Sequence, residues 1–283
     1  MIPITDTHQH LVYPERWPYD WAVGYLPRDG EGFRLADYRQ AIAGTGITRS
    51  VFMETGLEPP HDAAETDFAL DLVRDDPLVA GVIANCRPES TEREFQEWLI
   101  RFHRRRLSGL RRILHVMPDA LSTTPNFRAN VARLGARKLP FDMCFLARQL
   151  DLAVALARAC PNTQFVLDHC GVPDIAGGDI EPWRAGIRRV AALPNVACKI
   201  SGIAAYCAPG TVSSETLRPY VEHCIESFGW NRVVWGGDWP VCCTTSSLAD
   251  WVRTSRELVA DASEDEQRKL FHINAARIYG LRG

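Results

Sequence analysis

The chain predicts one α/β domain over residues 1–283, a (β/α)8 TIM barrel, on three observations. Eight short runs rich in Val, Ile and other apolar residues recur along the sequence, with helical patterns between them. The runs are continuously apolar instead of alternating, which suits parallel strands covered on both faces. The length of 283 residues is near the ~250 typical of such barrels and allows a large core. A doubly wound open sheet is the alternative, but no Gly-x-Gly-x-x-Gly follows the first run.

Strands are expected at residues 2–10, 50–54, 79–85, 110–114, 139–145, 164–169, 196–202 and 232–238. Helices are expected at 62–75, where Phe68, Ala69, Leu72 and Val73 share a side, and at 91–105, where Phe95, Trp98, Leu99 and Phe102 recur at helical spacing. The stretch 146–159 is Ala- and Leu-rich with the same period, and 181–193, 214–228 and 248–260 continue the series. The last helix, 264–279, opens after Ser263 with acids in its first turn, an N-cap signal. Pro161-Asn162 and Pro194-Asn195 mark turns that feed two strands. His103-Arg104-Arg105-Arg106 reads as a solvated helix end, where cations suit the dipole.

Composition excludes several functions. A net charge of −3 calls for neither nucleic acid nor an anionic membrane surface as partner. No apolar run approaches the ~20 residues that span a bilayer, and the first residues carry no signal-peptide pattern. The nine cysteines are odd in number, lack any Cys-x-x-Cys and fall largely in apolar runs. They read as buried thiols of a cytoplasmic protein. Cys242 and Cys243 diverge on an extended chain and read as loop-wall residues. A homo-oligomer is left open.

In a barrel, chemistry sits at the C-terminal ends of the strands. Strand 1 holds Asp6-Thr7-His8-Gln9-His10, and strict alternation turns Asp6, His8 and His10 to one face. Two imidazoles about 6–7 Å apart can grip a metal ion, a water or an anion. The other strand ends offer Glu54, Arg111 with Arg112 and His115, Asp142 with Arg148, Asp168 with His169, Lys199 with Ser201, and Asp238.

Imidazole and carboxylate suit a divalent cation such as Zn²⁺, which lowers the pKa of its water to roughly 7. Asp238 then takes the water proton and delivers it to a leaving oxygen. Without a metal, Asp238 acts as base directly while His8, His10 and His169 polarise a carbonyl. Each group also has a structural reading. His169 suits a satisfied core histidine, and Asp238 after two glycines suits a turn cap. Lys199 either serves the site or pairs with Asp142 or Asp168 as scaffold, because an unpaired buried ammonium is costly. His61, His223 and His272 lie away from the strand tips. Trp17, Trp21 and Tyr25 either roof the pocket or pack its mouth.

These motifs, with Gly109-Leu110-Arg111, Leu167-Asp168-His169-Cys170-Gly171, Cys198-Lys199-Ile200-Ser201-Gly202, Trp235-Gly236-Gly237-Asp238-Trp239-Pro240 and Asn274-Ala275-Ala276-Arg277-Ile278-Tyr279, occur in order. The chain thereby resembles the amidohydrolase superfamily over essentially its whole length, and within it the sugar-lactonase-like branch. The resemblance implies ring-opening hydrolysis of a small-molecule lactone. His8 and His10 match the strand-1 pair, His169 the strand-6 histidine, Asp238 the general base and Arg111 a substrate contact. Lys199 matches without an assigned role.

Arg112, His115 and Glu54 depart from the residues common at those positions in the branch, and the added positive charge favours an acidic lactone. The expectation is a lactonase acting on a sugar-acid or related carboxylated lactone. His8, His10, His169 and Asp238 hold one divalent ion, zinc first, if any metal is bound; Arg111, Arg112, His115, Lys199 and Glu54 surround the substrate. The lack of a bridging strand-5 lysine or histidine disfavours two metals. The alternatives are a metal-dependent decarboxylase of the same superfamily and a non-catalytic ligand-binding barrel.

Overall fold

The computed structural model describes residues 1–28, 30–102 and 107–281. Its eight strands are β1 (Ile4–Gln9), β2 (Ile47–Met53), β3 (Val79–Asn85), β4 (Gly109–Ile113), β5 (Phe141–Cys144), β6 (Phe165–Leu167), β7 (Val196–Ile200) and β8 (Val233–Trp235). Each pairs in parallel with the next, in sequence order. The barrel closes at its C-terminal rim. His10 N donates to Trp239 O at 2.8 Å, and Asp238 N donates to His8 O at 2.7 Å. The seam therefore fastens His8 of β1 and His10 just beyond it to the segment after β8.

Ten helices lie around the sheet among the described residues: α1 (Leu35–Ala41), α2 (His61–Asp75), α3 (Glu92–Phe102), α4 (Pro125–Ala136), α5 (Leu150–Ala159), α6 (Ile180–Ala191), α7 (Ser214–Phe228), α8 (Leu248–Leu258), α9 (Glu264–Arg268) and α10 (Asn274–Tyr279). Alternation along the strands divides the core. Phe52 faces the helices, while its neighbours Val51 and Met53 face the barrel axis with Ile83, Val166 and Val234. Ile278 and Tyr279 of α10 pack into that inner cluster. No described helix is long and apolar enough to cross a membrane.

Several boundaries differ from the sequence reading. Helices α1 and α4 were not among the expected elements. At seven residues, α1 is too short for a periodic pattern to stand out. α4 does carry a signal: Thr124 caps it by accepting from Phe127 N, with Pro125 next. The expected helix 264–279 is broken, because a π turn at Lys269–Ile273 separates α9 from α10. The basic run 103–106 lies outside the described residues.

Strands β6 and β8 end before His169 and Asp238. The chain leaves β6 through His169 (φ 54°), Cys170 (φ 54°), Gly171 (φ 69°) and Val172 (φ 46°), and leaves β8 through Asp238 (φ 55°). Left-handed backbone at non-glycine residues costs roughly 1–3 kcal/mol each and persists only where neighbours hold it. Here it turns His169 and Asp238 toward the barrel mouth.

Candidate active site

His8, His10, His169 and Asp238 meet at one point. His8 Nε2 and His10 Nε2 are 3.2 Å apart. Each lies 3.6 Å from Asp238 Oδ1, and His169 Nδ1 is 3.9 Å from Asp238 Oδ2. All four are buried. His10 Nδ1 donates to Met53 O at 3.1 Å, which leaves the Nε2 lone pair facing the cluster. His169 Nδ1 is also within 3.0 Å of Ser201 Oγ.

Burial holds all three imidazoles below their ordinary pKa, His10 at about 3. They are neutral near pH 7. Asp238 is raised to about 6, first by burial and then by the Asp168 charge, against the lowering influence of His169 and Arg111. The same carboxyl is thus a base at neutral pH and an acid within reach of a proton.

Asp6 is not in this cluster. The four residues of β1 from Asp6 to Gln9 run against the three of β2 from Ser50 to Phe52. That bulge breaks the strict alternation on which a shared face depends. Asp6 instead accepts from His8 N at 3.0 Å, Gly237 N at 2.7 Å and the Tyr38 hydroxyl at 2.7 Å. It fastens the seam beneath the site.

The other expected substrate residues are divided. Arg111 reaches the cavity wall, but Nε donates to Glu54 Oε1 at 2.6 Å and Nη2 to the Glu54 carbonyl at 2.7 Å. Its Nη1 lies 3.2 Å from His8 Nε2 and 3.7 Å from Asp168 Oδ2. Glu54 is therefore spent on positioning Arg111. Arg112, next along the strand, faces the opposite way and pairs with Glu89. It lines no part of the cavity, so the added positive charge expected from strand 4 does not reach the site.

Lys199 is sealed below the rings, bound to Asp142, to Asp168 Oδ1 at 3.1 Å and to Thr7 O at 3.2 Å. Its Nζ also lies 3.5 Å from His8 Nδ1, so the lysine is part of the scaffold and touches the site through that imidazole. Burial alone would raise Asp168, but Lys199 and His8 outweigh it and hold the carboxyl well below the usual range.

Above the cluster is a cavity of about 500 Å³. His115 lines it, with Nδ1 3.0 Å from Cys144 Sγ. Trp21 and Tyr25 form part of its wall, whereas Trp17 packs against Phe68. Tyr206, which no pattern in the sequence singled out, enters from the turn after β7 with its ring centroid 6.3 Å from that of His169. His223 and His272 are away from the cavity, bound to Arg184 O and Thr5 Oγ1. Arg148 pairs with Asp119 outside it.

The donor set fits one divalent cation. Ligands at ~2.0–2.2 Å from a tetrahedral ion lie about 3.3–3.6 Å from one another. The triangle His8 Nε2, His10 Nε2 and Asp238 Oδ1 has edges of 3.2, 3.6 and 3.6 Å. Neutral imidazoles and a carboxylate are the donors such an ion takes. The guanidinium of Arg111 competes for the same His8 lone pair, so an ion and that hydrogen bond exclude one another.

Gly202 lets His169 and Asp238 approach one another closely. Its φ is 65°, and a Cβ there would lie 2.4 Å from His169 Nδ1 and 2.6 Å from Asp238 Oδ2. Gly202→Ala is expected to push these groups apart and lower turnover by roughly 10- to 100-fold, since small misplacements at reacting groups are costly. Steady-state kinetics beside a melting curve checks this; a variant with native kcat would show the clash is absorbed elsewhere.

Another buried carboxyl, Glu65, braces the wall at Thr55. Glu65 accepts from Thr55 N at 3.2 Å and from the Thr55 hydroxyl. Burial, then nearby Glu54, raises its pKa from 4.5 to about 8. The folded protein thus holds this proton more tightly than the unfolded chain, so stability falls as pH rises from about 4.5 to about 8. Glu65→Gln should flatten that decline and add on the order of 2 kcal/mol at pH 8, read by urea unfolding at several pH values. An unchanged pH profile would contradict it.

Comparison with known proteins places this geometry. The amidohydrolase family profile matches residues 5–281. An L-fucono-1,5-lactonase of Burkholderia multivorans is 31% identical, covering 98% of this chain and 95% of its own. An uncharacterised protein of Sinorhizobium fredii is 27% identical over 98% of both chains. A crystal structure of a Burkholderia multivorans amidohydrolase with bound zinc is 26% identical, with a TM-score of 0.88 over 99% of this chain and 100% of that one. The chain belongs to the amidohydrolase family.

Proposed function

We propose that the protein is a lactonase that opens a lactone ring with water activated by Asp238. The observation that carries this reading is the Asp238 carboxylate held 3.6–3.9 Å from three neutral imidazoles below the cavity. The lactonase name of a relative 31% identical over nearly its whole length supports it.

In the reaction, Asp238 takes a proton from water as the water oxygen bonds to the lactone carbonyl carbon. The carbonyl π electrons move to its oxygen, and Arg111 with the imidazoles stabilises that charge. The intermediate collapses, the bond from the carbonyl carbon to the ring oxygen breaks, and Asp238 returns the proton to the departing alkoxide. His8, His10 and Asp238, with His169 alongside, are the residues that would hold a divalent ion, zinc first. Such an ion would supply Lewis acidity and a more acidic water. The proposed partner is a small-molecule lactone, with self-association open, and the proposed compartment is the cytoplasm.

A pH-indicator screen over sugar-acid, dicarboxylate and simple lactones tests the reaction, since each turnover yields a carboxylic acid. Elemental analysis and chelation belong in the same experiment. Acid release that falls on chelation and returns with Zn²⁺ is the expected result; activity indifferent to stripping assigns carbonyl polarisation to Arg111 and the imidazoles. Carbon dioxide without ring opening would select a decarboxylase. Lactone binding unaltered in Asp238→Asn, with no turnover by either protein, would select a binding protein.

A further inference from the structure

We infer that the preferred substrate is a lactone carrying an apolar alkyl or aryl substituent, not a polyhydroxylated or carboxylated one; this rests on the lactonase reading. The charged groups of the cavity and two of its imidazoles are its deeply buried part, where His10, His169, Asp238 and Arg111 must meet the reacting carbonyl. Above them the wall is Trp21, Tyr25, Ile113, Val116, Leu146 and Tyr206. Among the described residues, no Asn, Gln, Ser, Glu or Lys side chain lines it.

A sugar-acid lactone presents several hydroxyls, and each one buried without a partner costs affinity. The wall has few partners to give. The Thr55 hydroxyl is taken by Glu65. What remains is the Tyr25 and Tyr206 hydroxyls, His115 and the unpaired indole N–H of Trp21.

A carboxylated lactone fares no better. Among the described residues, Arg111 is the only lysine or arginine on the wall, and its charge is already matched by Glu54 and Asp168. No bidentate face of the guanidinium is left for a substrate carboxylate. At the mouth, Val116 is 69% and Tyr25 49% exposed. An apolar substituent would take both out of water together with the wall below.

The test compares δ-lactones that differ only in substituent: none, a pentyl chain, a ring of hydroxyls, or a carboxylate. Acid release gives kcat/KM. The matched lactams, which resist hydrolysis, are titrated by tryptophan fluorescence. The expected result is a gain of roughly two- to fourfold in kcat/KM per methylene buried, and the same order among the lactams. Val116→Asp should shrink the pentyl-over-unsubstituted ratio by about threefold or more, near the worth of one buried methylene.

A hydroxylated or carboxylated lactone equal to or better than the pentyl compound, in turnover or as lactam, overturns the inference. So does an unchanged ratio in Val116→Asp. If no lactone releases acid while the pentyl lactam still binds tightest, the lactonase reading fails and the apolar specificity of the cavity stands.

Discussion

Asp238→Asn is expected to lower kcat for lactone opening by about 10³-fold, within the range set by loss of a positioned acid–base group, with KM little changed. The amide keeps the shape of the side chain and the left-handed turn at φ 55°, which asparagine tolerates. It keeps the backbone bond from residue 238 N to His8 O, so the barrel seam stays closed. What it removes is the proton acceptor. The native acid limb of kcat/KM should fall near pH 6, where the buried carboxyl ionises, with activity rising as pH rises through that value. A bound cation would draw the limb to lower pH, because a positive charge favours the carboxylate. Steady-state kinetics of both proteins from pH 4 to 8 checks this; a variant retaining a tenth of native kcat with the same limb would move the base elsewhere.

Much of the barrel was legible because buried parallel strands write themselves as unbroken apolar runs. The site was legible through one topological rule, that strand ends share a mouth, which joined His8 and His10 to His169 and Asp238 across the sequence. The failures are local. Asp6 was misplaced because a bulge is invisible to a strict two-residue period. Arg112 and Lys199 are offered to the substrate, Lys199 with pairing to Asp142 or Asp168 as its alternative, because residue type says nothing of which partner a charge has already found; Glu89 and Asp142 decide that, and both are distant in sequence. Tyr206 had no signal, since a turn and not a strand delivers it. The left-handed backbone at His169 and Asp238 could not be read from residues that so seldom adopt it, although Gly202, Gly236 and Gly237 nearby marked close approaches. The Arg112 and Lys199 charges that the sequence draws toward the site therefore lie outside the cavity, paired with Glu89 and Asp142, and mostly apolar residues form the wall in their place.

Lys199→Met is expected to be the most destabilising single change in the barrel interior. The ammonium is fully buried and is bound by Asp142 and by Asp168 at 3.1 Å, with the Tyr279 hydroxyl 2.8 Å from the same Asp142 oxygen. Removing one member of a buried ionic group leaves the others uncompensated, at a cost of about 3–5 kcal/mol. For a chain of this size that corresponds to a loss on the order of 10 °C in Tm. Asp142 can relieve part of the strain by taking a proton, since burial raises its pKa to about 7 even beside Lys199. Asp168 cannot do so easily, because Arg111 and His8 remain beside it. The sign of the residual pH dependence follows: Lys199→Met should be least destabilised in mild acid and most destabilised above pH 7. Adding Asp142→Asn to Lys199→Met removes the carboxylate that lost its partner and should recover a measurable part of the melting temperature. A double variant no more stable than Lys199→Met would show that the lysine acts through Asp168 alone. His8 would also feel the loss, because Lys199 Nζ lies 3.5 Å from its Nδ1 and Asp168 Oδ1 lies 3.7 Å from the same atom.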